Sequence, residues 1–298
     1  MLEVRVAATS ANLGPGFDAL GIALDLDLTV RVQPAERDIF RYRGEGYVSD
    51  TPHNLVHQGF RAAYHALDLE PPTVAFEVDN PIPLARGLGS SSAALVAGAA
   101  LADGLLDERL GREAVFRLVA HLEGHPDNVA PAVFGGFTVS AADDSGTFVS
   151  ASLALPGRWR LLFGVPAFEL PTAKARAVLP SSYPRADAVR SSGRAALWAV
   201  AVADDRPELL RVASLDVLHE PYRAPLVPGF DACRTALRAH GAYAAYLSGA
   251  GPTLAVVADD DHAGACLAEL RTFVGDTGRV LDLGAGSGYR VRPCQHRA

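Results

Sequence analysis

The chain reads Pro83-Leu84-Ala85-Arg86-Gly87-Leu88-Gly89-Ser90-Ser91-Ser92-Ala93-Ala94 at the point that decides its fold. Glycines let a backbone curl so that several N–H groups converge on one anion. After the loop the pattern changes period, with Ala93, Val96, Ala97, Ala100 and Leu101 at helical spacing. The N-terminus of such a helix adds unsatisfied N–H groups and a partial positive charge. We therefore expect a phosphate site here; the alternative is an ordinary loop in which a serine caps the helix.

The charge balance of the chain narrows the ways in which it could bind phosphate. Its 298 residues include 27 lysines and arginines against 34 aspartates and glutamates, for a net charge of -7. An acidic chain without a basic run is a poor binder of nucleic acid or anionic membranes, so we expect neither partner. Lys174 is the only lysine, and it lies between two alanines. A Walker A loop needs a lysine directly after a glycine, so that solution is excluded.

Cysteine usage and the N-terminus indicate a cytoplasmic protein. The three cysteines, Cys233, Cys266 and Cys294, show no metal-ligand spacing, which is typical of free thiols in a reducing compartment. Residues 1–6 lack the apolar segment of a signal peptide. No apolar run reaches the roughly 18 residues of a membrane span.

Length and patterning predict two domains, which we place at residues 1–155 and 156–298. In the first, residues 24–32 alternate apolar and polar side chains, as a half-buried strand does. The other elements expected in this domain are strands at 2–6, 73–78 and 133–140, helices at 55–67 and 112–122, and a hairpin turn at 142–146.

The second domain has a different order of elements. We expect strands at 159–165, 243–248 and 253–258 and a final strand, with helices at 172–179, 186–203, 206–218, 229–239 and 262–274. Without the extra helices, this order is the split βαββαβ arrangement of ferredoxin-like folds. Val280-Leu281-Asp282-Leu283-Gly284-Ala285-Gly286-Ser287-Gly288 is similar to a methyltransferase motif for S-adenosylmethionine. That motif opens a sheet of on the order of 100 further residues. Only ten follow here, so we interpret the segment as a terminal strand with a turn.

Residues 83–93 resemble the phosphate loop of the GHMP kinases, Pro-x-x-x-Gly-Leu-Gly-Ser-Ser-x-Ala, and two further motifs of that family occur in order. They are Ala8-Thr9-Ser10-Ala11-Asn12-Leu13-Gly14-Pro15-Gly16-Phe17-Asp18 and the glycine turn Ser248-Gly249-Ala250-Gly251-Pro252-Thr253-Leu254. The family binds ATP without a Walker lysine. The resemblance implies an α+β protein with an N-terminal domain like ribosomal protein S5 domain 2 and a C-terminal ferredoxin-like domain. It also implies that the glycine turn lies beside the phosphate loop.

The same resemblance assigns roles at the ATP end of the site. The expected contacts to ATP are Pro83, Arg86, Gly87, Leu88, Gly89, Ser90, Ser91, Ser92 and Ala93. The family pairs a loop serine with a helix glutamate around Mg²⁺, and these match Ser91 and Glu123. Magnesium prefers oxygen ligands, which suits this pair. Asn54 is the candidate for an adenine contact. One departure is that only Gly124 separates Glu123 from His125, where several relatives have a longer insert.

One segment separates the members of the family: Glu123-Gly124-His125-Pro126-Asp127-Asn128-Val129-Ala130-Pro131 is similar to homoserine kinases. Segments 171–176 and 219–223 agree with that branch, which implies ATP-dependent phosphorylation of L-homoserine in threonine biosynthesis. The alternative is a mevalonate- or sugar-type substrate. The resemblance also implies a homodimer, for which the sequence shows no separate evidence.

The substrate's groups can be matched to residue types. A planar bidentate donor suits a carboxylate, and the resemblance implies Arg176 and Arg223 as the candidates, with Thr172 in the same segment as Arg176. Acceptors for the ammonium group are Asn12, Asp127 and Asn128, and candidates beside the reacting hydroxyl are Asp18 and His125. Asp127 matches the position of an aspartate that serves as a base in some relatives, or it binds the ammonium instead. The residues leave both roles open.

Overall fold

The computed structural model describes residues 1–51 and 53–294. In this part of the chain, seven strands form the first sheet: β1 (Leu2–Ala11), β2 (Leu20–Pro34), β3 (Ile39–Gly44), β4 (Val74–Asn80), β5 (Phe137–Ala142), β6 (Phe148–Leu153) and β11 (Arg290–Pro293). The strand order is β11-β1-β2-β4-β3, and β5 pairs with the first residues of β2 and with β6. The predicted alternation is confirmed within β2, where Leu24, Leu28, Val30 and Val32 are buried.

Four helices pack with this sheet: α1 (Leu55–His65), α2 (Ser90–Leu105), α3 (Arg112–Glu123) and α4 (Val129–Phe134). The middle of α2 is fully buried, and α1 crosses it closely. Glycine makes that approach possible, since a Cβ on Gly98 would meet the Val56 carbonyl oxygen at 2.0 Å. Small residues in α2 therefore permit the close packing of the two helices. The loop preceding α2 is held at the edge of this tightly packed core.

The second sheet contains β7 (Arg160–Val165), β8 (Ala244–Leu247), β9 (Leu254–Ala258) and β10 (Arg279–Leu283). Its order is β10-β7-β9-β8, and every pairing is antiparallel. The helices of this half are α5 (Thr172–Ala177), α6 (Arg185–Ala203), α7 (Leu210–Ala213), α8 (Glu220–Arg223), α9 (Phe230–Ala239) and α10 (Asp260–Val274). With α9 and α10 as the crossovers, this is the predicted ferredoxin-like arrangement with additional helices before β8.

The end of the chain returns to the first sheet. After β10, isolated bridges join Ala285 to Leu24 and Ser287 to Gly135, and β11 then pairs with β1. The segment with the methyltransferase-like glycines is thus strand β10 followed by a crossing between the sheets. The interpretation as a terminal strand is wrong, because β11 follows it. The division at residue 155 separates the strands of the two sheets except for β11.

Local differences from the sequence prediction have physical causes. Residues 133–134 end helix α4, so β5 begins four residues later than predicted. The predicted helix 206–218 is wrong beyond Ala213, because the Asp216 carboxylate accepts hydrogen bonds from the N–H groups of His219 and Glu220. These bonds begin a new helix, α8, in its place. Strands β3 and β6 were not predicted. In the described residues, no helix is long and apolar enough to cross a membrane.

Candidate active site

The phosphate loop has a backbone that its glycines make possible. Gly89 precedes the first residue of α2 in the left-handed conformation, with φ of 69°, and Gly87 has φ of 75°. No side chain caps α2 at this position. The alternative of a serine N-cap is therefore wrong, since the capping position is a glycine. The first N–H groups of the helix have no intrahelical acceptors, and they point with the helix dipole toward the loop.

Neighbouring segments hold the loop in place through its carbonyl groups. Ser248 Oγ donates to the Gly87 carbonyl at 2.6 Å, and the Thr9 N–H donates to the Leu88 carbonyl at 3.1 Å. The loop and the Ser248 turn are packed so closely that a Cβ on Gly87 would meet the Ser248 carbonyl oxygen at 2.2 Å. The glycine turn thus lies beside the loop, as the resemblance implied. These contacts hold the loop through its carbonyl oxygens and do not use its N–H groups.

Most of the predicted site residues line one cavity of about 100 Å³. They are Asn12, Asp18, Pro83, Arg86, Gly87, Leu88, Gly89, Ser90, Ser91, Ser92, Glu123, His125, Asp127, Asn128, Thr172, Arg176 and Arg223. Two predicted residues lie elsewhere: Ala93 is fully buried in α2, and Asn54 lines a neighbouring cavity. Arg86 lines the cavity, but its guanidinium donates to the carbonyls of Leu84, Pro166 and Ala167. It therefore joins the loop to the segment after β7.

A chain of partly buried hydrogen bonds runs along one wall of the cavity. Asp127 Oδ1 lies 2.7 Å from His125 Nδ1 and accepts from Asn128 Nδ2 at 3.1 Å. Asn128 Oδ1 in turn accepts from Thr9 Oγ1 at 2.8 Å. Among the described residues, Asp127 Oδ2 has no hydrogen-bond partner, so this oxygen is available to a ligand. Burial lowers the pKa of His125, but the hydrogen bond and charge of Asp127 outweigh it and raise that pKa overall.

Two arginines reach the cavity with opposite electrostatic surroundings. Arg176 forms a bidentate pair with Asp18, at 3.0 and 2.6 Å, and this bond raises the pKa of Arg176. Arg223 is 1% exposed, and its guanidinium donates to the carbonyls of Ala175 and Gly249. No carboxylate in the described residues pairs with it. Burial, followed by the charge of Arg176, lowers the pKa of Arg223 to about 10, so it stays protonated at neutral pH.

The predicted metal ligands lie side by side. Ser91 Oγ, in the first turn of α2, is 3.3 Å from Glu123 Oε2, in the last residue of α3. The short connection therefore does not prevent Glu123 from reaching the loop. Both groups present oxygen, which fits a hard divalent cation beside phosphate. Asp18, His125 and Asp127 also present ligand atoms within 4.8 Å of one another, an arrangement that can hold a positive group.

Asn12 has a structural role that the sequence did not predict. Its Nδ2 donates to the Gly249 carbonyl at 2.8 Å, and its Oδ1 accepts from the Asp18 N–H at 3.0 Å. Because these bonds use the amide on both sides, Asn12 ties the first motif to the glycine turn. It still lines the cavity, and its contribution there is to fix the position of Asp18.

A more apolar cavity of about 410 Å³ adjoins the loop. Its lining includes Phe40, Tyr42, Leu55, Leu84 and Ala94, with Thr172 and Ser91 shared between the two cavities. Asn54 lies in this lining, and its side chain also caps α1 by accepting from the His57 N–H at 3.0 Å. Sequence reasoning missed the aromatic wall because it missed β3. The alternation of Phe40 and Tyr42 with Arg41 and Arg43 is a signal that would have found it.

This fold and site define a small-molecule kinase that uses a glycine-serine loop in place of a Walker lysine. Two family descriptions match the chain, the N-terminal domain of GHMP kinases over residues 54–136 and the C-terminal domain over residues 198–276. Homoserine kinase from Thermus thermophilus is 52% identical over 288 residues, covering 96% of this chain and 97% of that protein. The chain belongs to the GHMP kinase family, within its homoserine kinase branch.

Solved structures agree with this placement. A homoserine kinase from Cytophaga hutchinsonii superposes with a TM-score of 0.86 at 25% identity, covering 98% of this chain and 97% of the other. A putative homoserine kinase from Listeria monocytogenes gives 0.80 at 35% identity, covering 99% and 100%. The predicted fold class and enzyme class are therefore confirmed.

Proposed function

We propose that this protein transfers the γ-phosphoryl group of ATP to the hydroxyl of L-homoserine, giving O-phospho-L-homoserine and ADP for threonine biosynthesis. The observation that carries the proposal is the single cavity in which a phosphate loop faces a buried arginine that has no ion-pair partner in the described residues. Between these two ends lie carboxylate and amide oxygens that suit an ammonium group. The similarity to homoserine kinases over nearly the whole chain supports the same substrate.

The ATP end uses backbone more than side chains. The N–H groups of residues 87–92 and the N-terminus of α2 would hold the phosphate oxygens, and the adjoining cavity would take the base. Ser91 and Glu123 would hold Mg²⁺, which neutralises charge on phosphate when bound. Arg86 supports the loop from the side through its three carbonyl contacts. Because backbone N–H groups and Mg²⁺ would bind the phosphates, an acidic protein with one lysine can bind ATP.

The amino-acid end is assigned by charge. Arg223 lacks a carboxylate partner in the described residues, so the substrate carboxylate would be its counterion. Asp127 Oδ2 and the amide of Asn128 would accept from the ammonium group. Arg176 is already neutralised by Asp18, so we assign this pair to positioning beside the reacting hydroxyl, with Thr172 at the border of the two cavities.

The transfer is a direct displacement. The homoserine oxygen forms a bond to the γ-phosphorus while the bond from that phosphorus to the β,γ-bridging oxygen breaks, and ADP leaves. Such reactions depend mainly on positioning and charge stabilisation. The hydroxyl proton passes to solvent or to Asp127, whose neighbour His125 holds the carboxylate in one orientation at 2.7 Å.

Two expectations about the protein's setting accompany this function. We propose a cytoplasmic location, since ATP is available there and the cysteines are free thiols. We also propose a homodimer, as the resemblance implies; light scattering of the purified protein measures that directly.

ADP production tests the substrate assignment. The coupled assay compares L-homoserine with L-serine and L-threonine, which keep the amino-acid head group but differ in the hydroxyl arm. Mevalonate and a sugar serve as controls, because they lack that head group and represent the alternative within the family. We expect the highest kcat/KM with L-homoserine. Equal turnover of the three amino acids would refute the substrate while leaving the kinase class intact.

A further inference from the structure

His219 lies directly behind the proposed carboxylate subsite without reaching it. The side chain is fully buried at the start of α8, and it does not line the cavity. The Phe17 ring lies 5.5 Å from the His219 ring and 5.3 Å from the guanidinium carbons of Arg176 and Arg223. His219 therefore belongs to the wall that supports both arginines, and any effect on substrate must pass through another residue.

The two hydrogen bonds of His219 define its protonation state. Nε2 lies 2.8 Å from the Gly14 carbonyl oxygen, which can only accept, so Nε2 carries the hydrogen. Nδ1 lies 3.2 Å from Nη1 of Arg223, which can only donate, so Nδ1 carries none. Burial lowers the pKa of His219 and outweighs the opposite effect of Asp216, 3.6 Å away. All of these facts agree with a neutral imidazole.

Because His219 is a neutral acceptor, its hydrogen bond orients Arg223 without adding a negative charge. In the described residues, Arg223 forms hydrogen bonds with two backbone carbonyls and with the His219 ring, and none of these groups carries a negative charge. The guanidinium is thus oriented by hydrogen bonds to neutral groups. The carboxylates whose charges raise its pKa, Asp18, Asp127 and Asp216, form no ion pair with it in the described residues. Arg176 shows the contrast, since its bidentate bond to Asp18 orients and neutralises it together. A carboxylate at position 219 would do the same to Arg223.

We propose that His219 is a positioning residue that orients Arg223 through a neutral acceptor and so reserves its charge for the substrate carboxylate. This inference rests on the proposed function, because it takes the Arg223 subsite as the place of the homoserine carboxylate. Under this proposal, His219 fixes the orientation of the Arg223 guanidinium but does not neutralise its charge.

The matched pair His219→Asn and His219→Asp tests the two properties separately. Both side chains are similar in shape and offer Arg223 an oxygen acceptor, but only the aspartate adds a negative charge. A hydrogen bond that involves charge is worth a factor of roughly 10 to 100 in affinity. We expect the KM for L-homoserine to rise at least about tenfold more in His219→Asp than in His219→Asn. The KM for ATP and kcat should stay within about threefold in both variants.

Equal KM values for L-homoserine in the two variants would overturn the proposal, and so would a parallel rise in the KM for ATP. A merely structural role of His219 predicts those outcomes, because damage to the fold would not follow the charge of the side chain. Should either variant fail to fold, ¹⁵N histidine spectra of the unaltered protein decide the matter. We expect the neutral Nε2–H tautomer at pH 7, and an imidazolium signal for His219 would contradict it. Failure of the unaltered protein to phosphorylate L-homoserine is a separate outcome, which concerns the proposed function.

Discussion

Replacing Gly89 by alanine tests whether the shape of the phosphate loop carries the activity. The added Cβ would lie 1.8 Å from Thr9 Oγ1 and 3.0 Å from Asn128 Oδ1. The contact with Thr9 is impossible and the one with Asn128 is tight, so the loop or Thr9 must move by about 1.5 Å, an overpacking that costs roughly 1–3 kcal/mol. The left-handed backbone at residue 89 adds about 1–2 kcal/mol for an alanine. The free energy of unfolding should therefore fall by about 2–5 kcal/mol.

The effect on activity should exceed the effect on stability. Thr9 donates to Asn128, which donates to Asp127, so a shift at Gly89 disturbs the phosphate loop and the carboxylate together. A misplacement of about 1 Å can cost a factor of about 100 in rate. We expect kcat/KM for L-homoserine to fall by at least that factor in Gly89→Ala, measured at a temperature where the variant is fully folded.

Gly229→Ala is the matched control. Gly229 also precedes a helix in the left-handed conformation, but an added Cβ would meet only the Phe273 ring, at 3.7 Å. This variant should show the backbone cost of about 1–2 kcal/mol and unchanged kcat/KM. If Gly89→Ala retains the kcat/KM of Gly229→Ala, the close packing behind the loop does not support catalysis, and the reasoning is refuted.

Three further predictions concern charged groups of the site and the core. Glu123→Gln should raise the Mg²⁺ concentration for half-maximal activity about tenfold, while Ser91 remains in place; an unchanged requirement would exclude Glu123 as a ligand. Asp127→Asn should lower the pKa of His125, followed by NMR titration, because the carboxylate raises it now; the same variant should lower kcat if Asp127 is the base and raise KM if it binds the ammonium group. Burial, with the charge of Asp216, raises the pKa of Glu220 to about 8. Protonated Glu220 therefore stabilises the folded protein fully below pH 4.5, and this stabilisation is lost as the pH rises to about 8. Chemical denaturation from pH 6 to 8 should show unfolding free energy falling by up to about 1.4 kcal/mol per pH unit more than in Glu220→Gln, and parallel profiles would contradict this.

Local sequence patterns predicted much of the fold because they act over short distances. The alternation in residues 24–32 and the small residues after Ser92 report which faces are buried, and both elements form as predicted. Strand β3 was missed although Phe40 and Tyr42 alternate with two arginines in the sequence, and its apolar face proves to be only half buried. Helix 206–218 was overextended, since the Asp216 side chain competes with helix hydrogen bonds in a way that periodicity does not report.

For the candidate site, the sequence predicted which residues take part but not how they pair with one another. Its membership could be predicted from motifs, and 17 of the 19 predicted residues line one cavity. Their pairings could not be predicted, because the partners are far apart in sequence. Arg176 and Asp18 are separated by 158 positions, and His219 and Gly14 by 205. Two arginines that look equivalent in the sequence therefore prove to have different electrostatic environments.

The sequence by itself determined a glycine-serine loop before a helix, the absence of a Walker lysine, and the order of strands and helices that gives two sheets. These properties depend on backbone freedom and side-chain period, which neighbouring residues set. Only the tertiary structure decided that Arg176 is neutralised while Arg223 keeps its charge, and that β11 returns to the first sheet. Charge compensation depends on which groups come within a few ångströms after folding, so no local pattern can report it.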